Sequence, residues 1–459
     1  MTLIKSISGI RGTIGGEPGK NLTPVDIVKF TAAFGSWIIN RHQGRINMVT
    51  GRDGRRSGPM IGNLVISTLR NLGINVTDLG MASTPTVELA VAGTGAQGGI
   101  VITASHNPAE WNALKLLNEK GEFLSAKDGE EVLNLASGDK YTFASADKEG
   151  SLVSDNSWDE KHIGMILSLP GVEPEMISKA GFTIAIDCIN SVGGKILPHL
   201  LNSLGVKKVI GMNIVADGNF AHNPEPLPGN LKDISNLVVR EKADAGFAVD
   251  PDVDRLAIIS EDGSMFGEEY TLVAVSDYIL GRTPGNTVSN MSSSMALKDI
   301  SEKHGCRYFS STVGEVNVVE EMKNRRAVIG GEGNGGVIFP ALHYGRDALV
   351  AIALFLTHLA AYGKSCSSLR KQYPNYHIAK KKLTLGPSDD FSIILNRVKH
   401  EFREFDTDER DGIKINFPGS WVQIRKSNTE SIMRIYAEAD TEVNANNLAD
   451  RIIDIVKKI

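Results

Sequence analysis

The chain has 459 residues, which is enough for about three domains of ordinary size. Its composition, 41% hydrophobic and 22% charged residues, is that of a globular protein that folds in water. A net charge of -5 gives no general attraction to nucleic acid or to an anionic membrane, so we expect neither as a partner. An anionic ligand would therefore need a local basic pocket.

The cysteines and the first residues of the chain indicate the cytoplasm. Cys188, Cys306 and Cys366 match no zinc or redox spacing, and widely separated thiols fit a reducing compartment. The first residues lack the apolar stretch of a signal peptide, and no apolar run is long enough to span a bilayer. We therefore expect a cytoplasmic protein.

A similar order of elements occurs three times along the chain. In the first copy, a short apolar strand at residues 46–49 leads through a Gly- and Arg-rich loop into a helix near 60–72, which Gly73 ends. Two more strands are predicted at 74–80 and 98–104, and the second of these leads into a polar loop.

The second and third copies run from residue 182 to 249 and from residue 286 to 330. Alternating strands and helices of this kind predict α/β domains with largely parallel strands. In such folds ligands gather beyond the carboxyl ends of the strands, so the three polar loops should converge on one cleft. After about residue 371 the pattern predicts a smaller α+β domain with antiparallel strands, behind a linker at 372–378.

The loop after the first copy reads TASHNP and contains Ser105. A serine hydroxyl becomes a useful nucleophile only when a base or an electrophilic phosphate assists it. His106 is the adjacent candidate base, although sequence neighbours seldom point the same way, and Lys115 is an acid/base candidate if the cleft lowers its pKa. The alternative is a turn that caps a following helix, and the loop alone leaves both interpretations open.

The second loop, DPDVDR, carries Asp250, Asp252 and Asp254 at alternating positions. In extended backbone their carboxylates would lie on one side, and three such anions need a cation between them. Oxygen ligands without His or Cys select Mg²⁺, with Mn²⁺ as a substitute. Arg255 could pair with these carboxylates or with a phosphate. A solvated acidic turn is the alternative, but the apolar strand directly before the loop favours a structured site.

The third loop, GEGNGG, matches the Gly-x-Gly-x-x-Gly pattern of dinucleotide-binding sites, but VIFP follows where a helix should begin. We interpret it instead as a loop whose glycines bring the backbone close to a ligand, with Glu332 and Asn334 binding ligand hydroxyls. An ordinary glycine-rich turn is the alternative.

Near the C-terminus, a strand leads into Arg425, Ser427, Asn428 and Thr429 before another strand begins. Arginine offers a bidentate fork for phosphate, and hydroxyl and turn N–H groups can complete an anion site. A polar hairpin turn without a ligand is the alternative.

Together, GIRG, TASHNP, DPDVDR, GEGNGG and RKSNTE resemble the α-D-phosphohexomutase family, in this order and over nearly the whole chain. The resemblance implies an α/β fold of four domains around a central cleft. Three similar mixed-sheet α/β domains are expected at 1–149, 150–256 and 257–371, and a C-terminal α+β domain at 372–459.

The resemblance also assigns roles to individual residues. It implies that Ser105 is phosphorylated and that Mg²⁺ lies between this serine and the three aspartates. Arg11 of GIRG and Lys115 correspond to family residues that assist proton and charge transfer beside the phosphoserine. The implied phosphoprotein is an isomerase of carbohydrate metabolism that acts on a small phosphosugar, as a monomer or a homodimer.

In the implied reaction, phosphoserine passes its phosphate to a hexose monophosphate, and the resulting 1,6-bisphosphate turns around and returns its other phosphate to the serine. A hexose 1,6-bisphosphate would accordingly serve as an activator.

Two departures from the family pattern concern the ligand contacts. Many members have a His where this chain has Gly336, for which His343 is the candidate replacement. The phosphate-binding loop has Asn428 and Ser431 where Gly and Pro are common.

The GEGNGGVIFP and HYGRD segments are more similar to phosphoglucosamine mutases than to phosphomannomutases or phosphoglucomutases. The expected substrates are therefore glucosamine 6-phosphate and glucosamine 1-phosphate, and phosphomannomutase/phosphoglucomutase is the alternative.

Two further classes stay open from the sequence. A metal phosphatase with a phosphoserine intermediate needs no distal phosphate site, so Arg425→Ala would spare its turnover of small phosphate esters. A sugar-phosphate-binding homologue without catalysis would incorporate no phosphate.

Overall fold

The computed structural model describes residues 2–6, 9–384, 390–426 and 432–458. Within these residues the chain forms four units, each built on its own β-sheet. Among them, no helix combines the length and the apolar character that crossing a membrane requires.

The first unit contains, in chain order, β1 (Ile4–Ser6), β2 (Gly9–Thr13), α1 (Pro24–Arg41), β3 (Asn47–Arg52), α2 (Gly58–Asn71), β4 (Asn75–Met81), α3 (Thr84–Thr94), β5 (Gly98–Ile102), β6 (Trp111–Leu117), α4 (Ala126–Ser137) and β7 (Leu152–Ser154). The second contains α5 (Trp158–Leu167), α6 (Pro174–Ala180), β8 (Thr183–Asp187), α7 (Gly193–Ser203), β9 (Lys208–Met212), α8 (Lys232–Glu241), β10 (Ala245–Val249) and β11 (Leu256–Ser260). The third contains α9 (Glu268–Leu280), β12 (Asn286–Asn290), α10 (Ala296–Lys303), β13 (Tyr308–Ser311), α11 (Glu315–Arg325), β14 (Ala327–Glu332), β15 (Gly336–Ile338), α12 (Ala348–Tyr362) and α13 (Cys366–Arg370). The fourth contains β16 (His377–Thr384), α14 (Phe391–Glu401), β17 (Asp406–Asp408), β18 (Ile413–Phe417), β19 (Ser420–Lys426), β20 (Ile432–Ala439) and α15 (Glu442–Val456).

The first three sheets share one arrangement of strands, which confirms the repeat seen in the sequence. In each sheet the first strand of the repeat lies between the second and the third and pairs in parallel with both, giving β4-β3-β5, β9-β8-β10 and β13-β12-β14. A further strand then returns antiparallel to the third one, as β6, β11 and β15. The sheets are therefore mixed. Each polar loop joins an antiparallel pair at the carboxyl end of a parallel strand.

The helix between the first two strands of each repeat ends in the same way. Gly73, Gly205 and Gly305 follow α2, α7 and α10, with φ of +83°, +83° and +66°. These values lie in the left-handed region, which glycine enters without the steric cost that a Cβ imposes. The glycine thus turns the chain toward the next strand.

The sheets extend past two of the expected domain boundaries. β7 pairs with β4 of the first sheet, and β11 pairs with β10 of the second. We therefore propose that the first two boundaries lie after β7 and after β11, a few residues beyond positions 149 and 256.

The second and third units share one hydrophobic core. Its central element is α12, whose residues from Ala348 to Leu356 are all buried, and which packs against α9, α5 and α6. Because the helix is apolar on every side, it can only form inside such a core. This shared core fixes the second and third polar loops relative to each other.

The fourth unit has a different architecture, with the strand order β16-β20-β19-β18-β17 and antiparallel pairing throughout. It encloses its own core between this sheet and α14 and α15. The segment before β16 is bound to the third unit, because Tyr270 Oη donates to Pro374 O at 2.7 Å and accepts from Tyr376 N at 2.8 Å.

Candidate active site

The three polar loops meet at the carboxyl ends of their sheets. Ser105 Oγ donates to Asp250 Oδ2 at 2.8 Å, which joins the first loop to the second. Leu256 N donates to Gly335 O at 3.0 Å, which joins the second loop to the third. The convergence that the sequence predicts is thus confirmed.

Ser105 has an unusual backbone conformation. Its φ is 48°, in the left-handed region, and its N–H donates to Thr103 Oγ1 at 2.9 Å. A non-glycine residue pays about 1–2 kcal/mol for this conformation, so the surroundings must hold it there. The strand β6 follows the loop, so the alternative of a turn that caps a helix is wrong.

Arg55 supplies much of this restraint, although the sequence pattern did not single it out. Its guanidinium is fully buried, pairs with Asp53 at 3.0 Å, and donates to backbone carbonyls of the serine loop at 2.5–2.9 Å. These carbonyls belong to Ser105, Asn107, Pro108 and Trp111. Only an arginine fork can donate to so many acceptors at once.

Arg55→Lys is expected to lower kcat about 100-fold, because lysine keeps the buried charge but leaves loop carbonyls unpaired and Ser105 misplaced. The free energy of unfolding should fall by about 2 kcal/mol. Steady-state kinetics and urea unfolding measure the two effects. Arg56→Lys, at the exposed neighbouring position, is the matched control and should change neither quantity. A kcat equal to that of the unmodified protein would contradict this role.

The aspartate loop is a turn, so the expected extended backbone is wrong. Val253 has a φ of 62°, which a β-branched residue rarely adopts. The turn nevertheless gathers the carboxylates, because Asp250, Asp252 and Asp254 each offer an oxygen within 4.8 Å of the others. All three are buried, so the alternative of a solvated acidic turn is also wrong.

The carboxylates fit a divalent cation. Asp252 Oδ1 and Asp254 Oδ1 are buried and have no hydrogen-bond partner, a costly state unless a ligand completes it. Burial, and then the charges of Asp254 and Asp252, raise the pKa of Asp250 well above its ordinary value. A set of oxygen donors alone fits Mg²⁺.

Lys115 lies on β6 and faces the same carboxylates. Its Nζ lies 2.7 Å from Asp252 Oδ2 and 3.6 Å from Asp254 Oδ2. Burial opposes the charge of Lys115, but the two aspartates outweigh it and raise its pKa. An acid/base role of Lys115 was expected to require a lowered pKa, but the pKa is raised because anions surround the ammonium group.

Arg11 and Arg255 add positive charge around the serine loop, beside His106. The charge of Arg255, followed by burial, holds the pKa of His106 well below its ordinary value, so the imidazole is neutral. Burial and then Arg255 lower the pKa of Arg11. Arg255 Nε lies 3.8 Å from Asp254 Oδ1. A dianionic phosphate would relieve this mutual repulsion of cations.

The glycine-rich loop is a tight β-hairpin and not a dinucleotide site. Gly331 pairs with Val337, and a Cβ at position 331 would lie 2.0 Å from Gly336 O. Glu332 Oε1 accepts from Asn290 Nδ2 at 2.8 Å. Asn334 Oδ1 accepts from the Gly336 N–H at 3.2 Å and closes the turn.

Arg346 is a further site residue that the sequence pattern missed. It lies 2.6 Å from Asp254 Oδ2 and 2.7 Å from Glu332 Oε2, and so bridges the second and third loops. In the sequence, only the GRD segment pointed to Arg346.

His343 is not the replacement for the family histidine, because its two ring nitrogens lie 3.3 Å from carboxylate oxygens, one of Glu88 and one of Asp347.

His343 belongs to a buried network that joins the first three units. Asp347 Oδ2 also lies 2.9 Å from Nε2 of His162, and Glu88 comes from α3 of the first unit. Burial opposes protonation of His343, but the neighbouring carboxylates of Asp347 and Glu88 outweigh it and raise the pKa of His343 to about 10. A raised histidine pKa stabilises the fold below the unfolded pKa near 6.5, and this contribution is lost as pH rises toward 10.

His343→Asn is therefore expected to lower the free energy of unfolding by about 3 kcal/mol at pH 6 and by much less near pH 10. Urea unfolding at both pH values measures the difference. His400→Asn, at an exposed position on α14, should show no such pH-dependent loss. An equal loss at both pH values for His343→Asn would show that its charge is not responsible.

Only part of the segment that is predicted to bind a distal phosphate lies within the described residues. Arg425 lies at the end of β19, with Nη1 3.5 Å from Asp411 Oδ2. Ser427, Asn428 and Thr429, which the sequence assigns to the same site, lie outside the described residues.

Comparison with known proteins gives matches along the whole chain. Models of phosphoglucomutase/phosphomannomutase alpha/beta/alpha domains I, II and III match residues 3–142, 160–263 and 267–376, and the model of the C-terminal domain matches residues 393–455. A phosphoglucomutase/phosphomannomutase of Thermococcus kodakarensis is 34% identical over 97% of this chain and 98% of its own. A phosphoglucosamine/phosphogalactosamine mutase of Sulfurisphaera tokodaii is 31% identical over 98% of each chain. A phosphoglucosamine mutase of Methanococcus maripaludis is 29% identical over 89% of this chain and 91% of its own.

Solved structures agree with this assignment. A phosphoglucomutase/phosphomannomutase family protein of Burkholderia thailandensis is 25% identical, with a TM-score of 0.84 over 100% of this chain and 98% of its own. The Paramecium phosphoprotein parafusin, a phosphoglucomutase, is 17% identical and shares the fold, with a TM-score of 0.80 over 100% of this chain and 96% of its own. The chain therefore belongs to the phosphoglucomutase/phosphomannomutase family of phosphohexomutases, which are isomerases that act as intramolecular phosphotransferases.

Proposed function

We propose that this enzyme interconverts glucosamine 6-phosphate and glucosamine 1-phosphate through a phosphoserine at Ser105. The observation that carries the proposal is the 2.8 Å hydrogen bond between Ser105 Oγ and Asp250, which brings the hydroxyl to the cluster of aspartates. A serine in that position can accept and return a phosphoryl group next to a cation that offsets its charge.

The choice of sugar rests on the relatives. The Methanococcus maripaludis protein is named a phosphoglucosamine mutase, and the Sulfurisphaera tokodaii protein a phosphoglucosamine/phosphogalactosamine mutase. The Thermococcus kodakarensis relative, named a phosphoglucomutase/phosphomannomutase, supports the alternative that glucose or mannose phosphate is the substrate.

The aspartates suit Mg²⁺ as the metal of the site. Asp250, Asp252 and Asp254 would hold it together with Ser105, and the two buried Oδ1 atoms without partners support this assignment. When bound, Mg²⁺ neutralises the charge on the phosphoryl group during its transfer.

The protein residues have separate tasks in the first transfer. The bond from phosphorus to Ser105 Oγ breaks as a bond forms to a hydroxyl oxygen of the hexose monophosphate. The hydroxyl proton ends on Ser105 Oγ. The Lys115 ammonium group, which its raised pKa keeps charged, donates a proton to this leaving oxygen and takes up the hydroxyl proton in return. Arg11 and Arg255 hold the phosphate oxygens, since both carry positive charge beside the serine loop.

The second transfer uses the same groups after the sugar bisphosphate has turned around. Glu332 and Asn334 bind the sugar hydroxyls through hydrogen bonds in either orientation of the bisphosphate. The distal phosphate, whichever of the two it is, binds to the side chains of the C-terminal loop, Arg425, Ser427, Asn428 and Thr429. A bisphosphate that escapes leaves Ser105 without phosphate. Added hexose 1,6-bisphosphate would restore the phosphoserine and act as an activator.

A coupled assay tests the proposal. The Mg²⁺-loaded protein, primed with hexose 1,6-bisphosphate, is offered glucosamine, mannose and glucose phosphates side by side. Turnover dominated by glucosamine phosphate is expected. Turnover that favours mannose or glucose phosphate would keep the reaction and replace the sugar, and no turnover on any of them would contradict the proposed function.

A further inference from the structure

Arg346 is the point where the aspartate loop and the sugar loop are joined. The residue precedes α12, and its side chain is only 9% exposed. Its guanidinium reaches carboxylates from three separate segments: Nη2 lies 2.6 Å from Asp254 Oδ2, Nη1 2.7 Å from Glu332 Oε2, and Nε 3.1 Å from Glu315 Oε2. The Glu315 side chain also accepts from the Arg346 backbone N–H at 2.8 Å. The guanidinium therefore donates hydrogen bonds through both Nη atoms, and its Nε is paired with Glu315 by charge alone.

The glycine at position 336 makes room for this side chain. A Cβ built on Gly336 would lie 2.3 Å from Cδ and 3.0 Å from Cγ of Arg346. The φ of Gly336 is outside the left-handed region, so backbone conformation does not require glycine here. The requirement comes from the arginine, and the two residues form one structural unit.

The contacts of Arg346 fix the direction of two side chains that face the substrate. Glu332 accepts from Arg346 and, at 3.4 Å, from Asn334 through Oε2, and from Asn290 and the Gly314 N–H through Oε1, so its carboxylate is fixed in one orientation. Asp254 is held through Oδ2, which leaves Oδ1 without a hydrogen-bond partner. The guanidinium of Arg346 therefore sets the position of the Glu332 carboxylate, on the sugar side, relative to the Asp254 carboxylate, on the side of the phosphoryl group.

We propose that Arg346, accommodated by Gly336, is a positioning residue that determines sugar specificity by holding Glu332 in register with the phosphoryl-transfer centre. The inference rests on the proposed function, since it takes Glu332 as the group that binds sugar hydroxyls. Arg346 acts through Glu332 and Asp254 and does not itself need to touch the sugar.

Arg346→Lys is the first test, because it keeps the charge but can reach fewer of the three carboxylates. We expect KM for the hexose phosphate to rise about 30-fold, with kcat lowered about threefold or less. The ratio of kcat/KM between the preferred hexose phosphate and its epimers should narrow about tenfold. Arg325→Lys, at an exposed arginine on α11 of the same unit, is the control and should change none of these values. An unchanged KM together with an unchanged epimer ratio would overturn the proposal.

The second test is a double-mutant cycle between positions 336 and 346. Gly336→Ala alone should raise KM, because the new methyl group displaces Arg346, whereas the same change in an Arg346→Ala background should have little further effect. If the effects of the two substitutions on KM simply add, Gly336 and Arg346 do not form one structural unit. Thermal unfolding shows which variants are folded. If Arg346→Ala does not fold, the cycle is measured with Arg346→Lys in its place.

Calorimetric binding of a hexose 6-phosphate separates this inference from the proposed function. If the unmodified protein binds the sugar phosphate but turns over none, the proposed function fails while weaker binding by Arg346→Lys still supports the positioning role. Binding of equal strength by both proteins would overturn the role of Arg346 even if the mutase reaction is established.

Discussion

Ser105→Ala is expected to lower the turnover of hexose phosphate by about 10,000-fold or more, because the variant has no side-chain oxygen to carry the phosphoryl group. Asp250 would lose the hydrogen bond that it accepts from Ser105 Oγ, and incorporation of labelled phosphate from a hexose 1,6-bisphosphate should disappear. The coupled assay measures the first effect and mass spectrometry of the intact protein the second.

The unusual backbone at this position calls for a second variant. Because φ of residue 105 is 48°, alanine carries a backbone penalty that glycine does not, so Ser105→Gly separates loss of the hydroxyl from strain in the loop. Both variants should be equally inactive, with the glycine variant at least as stable. Ser137→Ala, at the exposed end of α4, should leave turnover unchanged. Near-normal turnover in a fully substituted Ser105→Gly sample would remove the phosphoserine mechanism.

Asp252→Asn is expected to weaken binding of Mg²⁺ by about 100-fold or more and to lower kcat about 1,000-fold. Asp252 Oδ2 accepts from Lys115 Nζ at 2.7 Å and from Thr84 Oγ1 at 2.5 Å, while Oδ1 has no protein partner. An amide must turn its NH₂ group either toward the cation or toward the Lys115 ammonium group, and both arrangements are repulsive.

Calorimetric titration with Mg²⁺ tests this expectation directly and does not depend on turnover. Asp262→Asn is the matched control, because Asp262 lies in the exposed turn after β11 and accepts hydrogen bonds from Ser264. Mg²⁺ affinity that is the same in Asp252→Asn and in Asp262→Asn would show that the aspartate loop is not the metal site.

The sequence predicted the three repeats because their signals are local. Apolar strands, amphipathic helices and the glycines after them, such as Gly73, depend on residues close together in the chain. The loops after the third strands could be located for the same reason. The α/β strand pattern predicted that these loops converge at the carboxyl ends of the strands, and the contact from Ser105 to Asp250 agrees with this prediction.

The residues that hold the site together could not be found in this way. Arg55 contacts carbonyls about fifty residues further along the chain, and Arg346 contacts Asp254 on another unit. Such contacts depend on the packing of units against one another, and no pattern along the chain encodes them. The direction in which the pKa of Lys115 shifts could not be predicted for a related reason, because it depends on the anions that the fold brings to its ammonium group.

The aspartate loop shows a different limit. Alternation of Asp250, Asp252 and Asp254 suggested extended backbone, but Val253 adopts a left-handed φ and the loop is a turn. The expected cluster of carboxylates was correct although the conformation was not, because a short segment of three acidic residues can converge in more than one backbone shape.

The separate core of the fourth unit determines where segments of the chain can be exchanged between related proteins without dividing a hydrophobic interior. The buried side chains that stabilise this unit come from residues between Ala379 and Val456, and none of them belongs to the core around α12. A crossover just before β16 would therefore leave both hydrophobic interiors intact, whereas one between the second and third units would divide a single interior. Exchange of genetic segments between relatives can thus replace the unit that carries Arg425 while the cluster of Ser105 and the three aspartates is inherited whole.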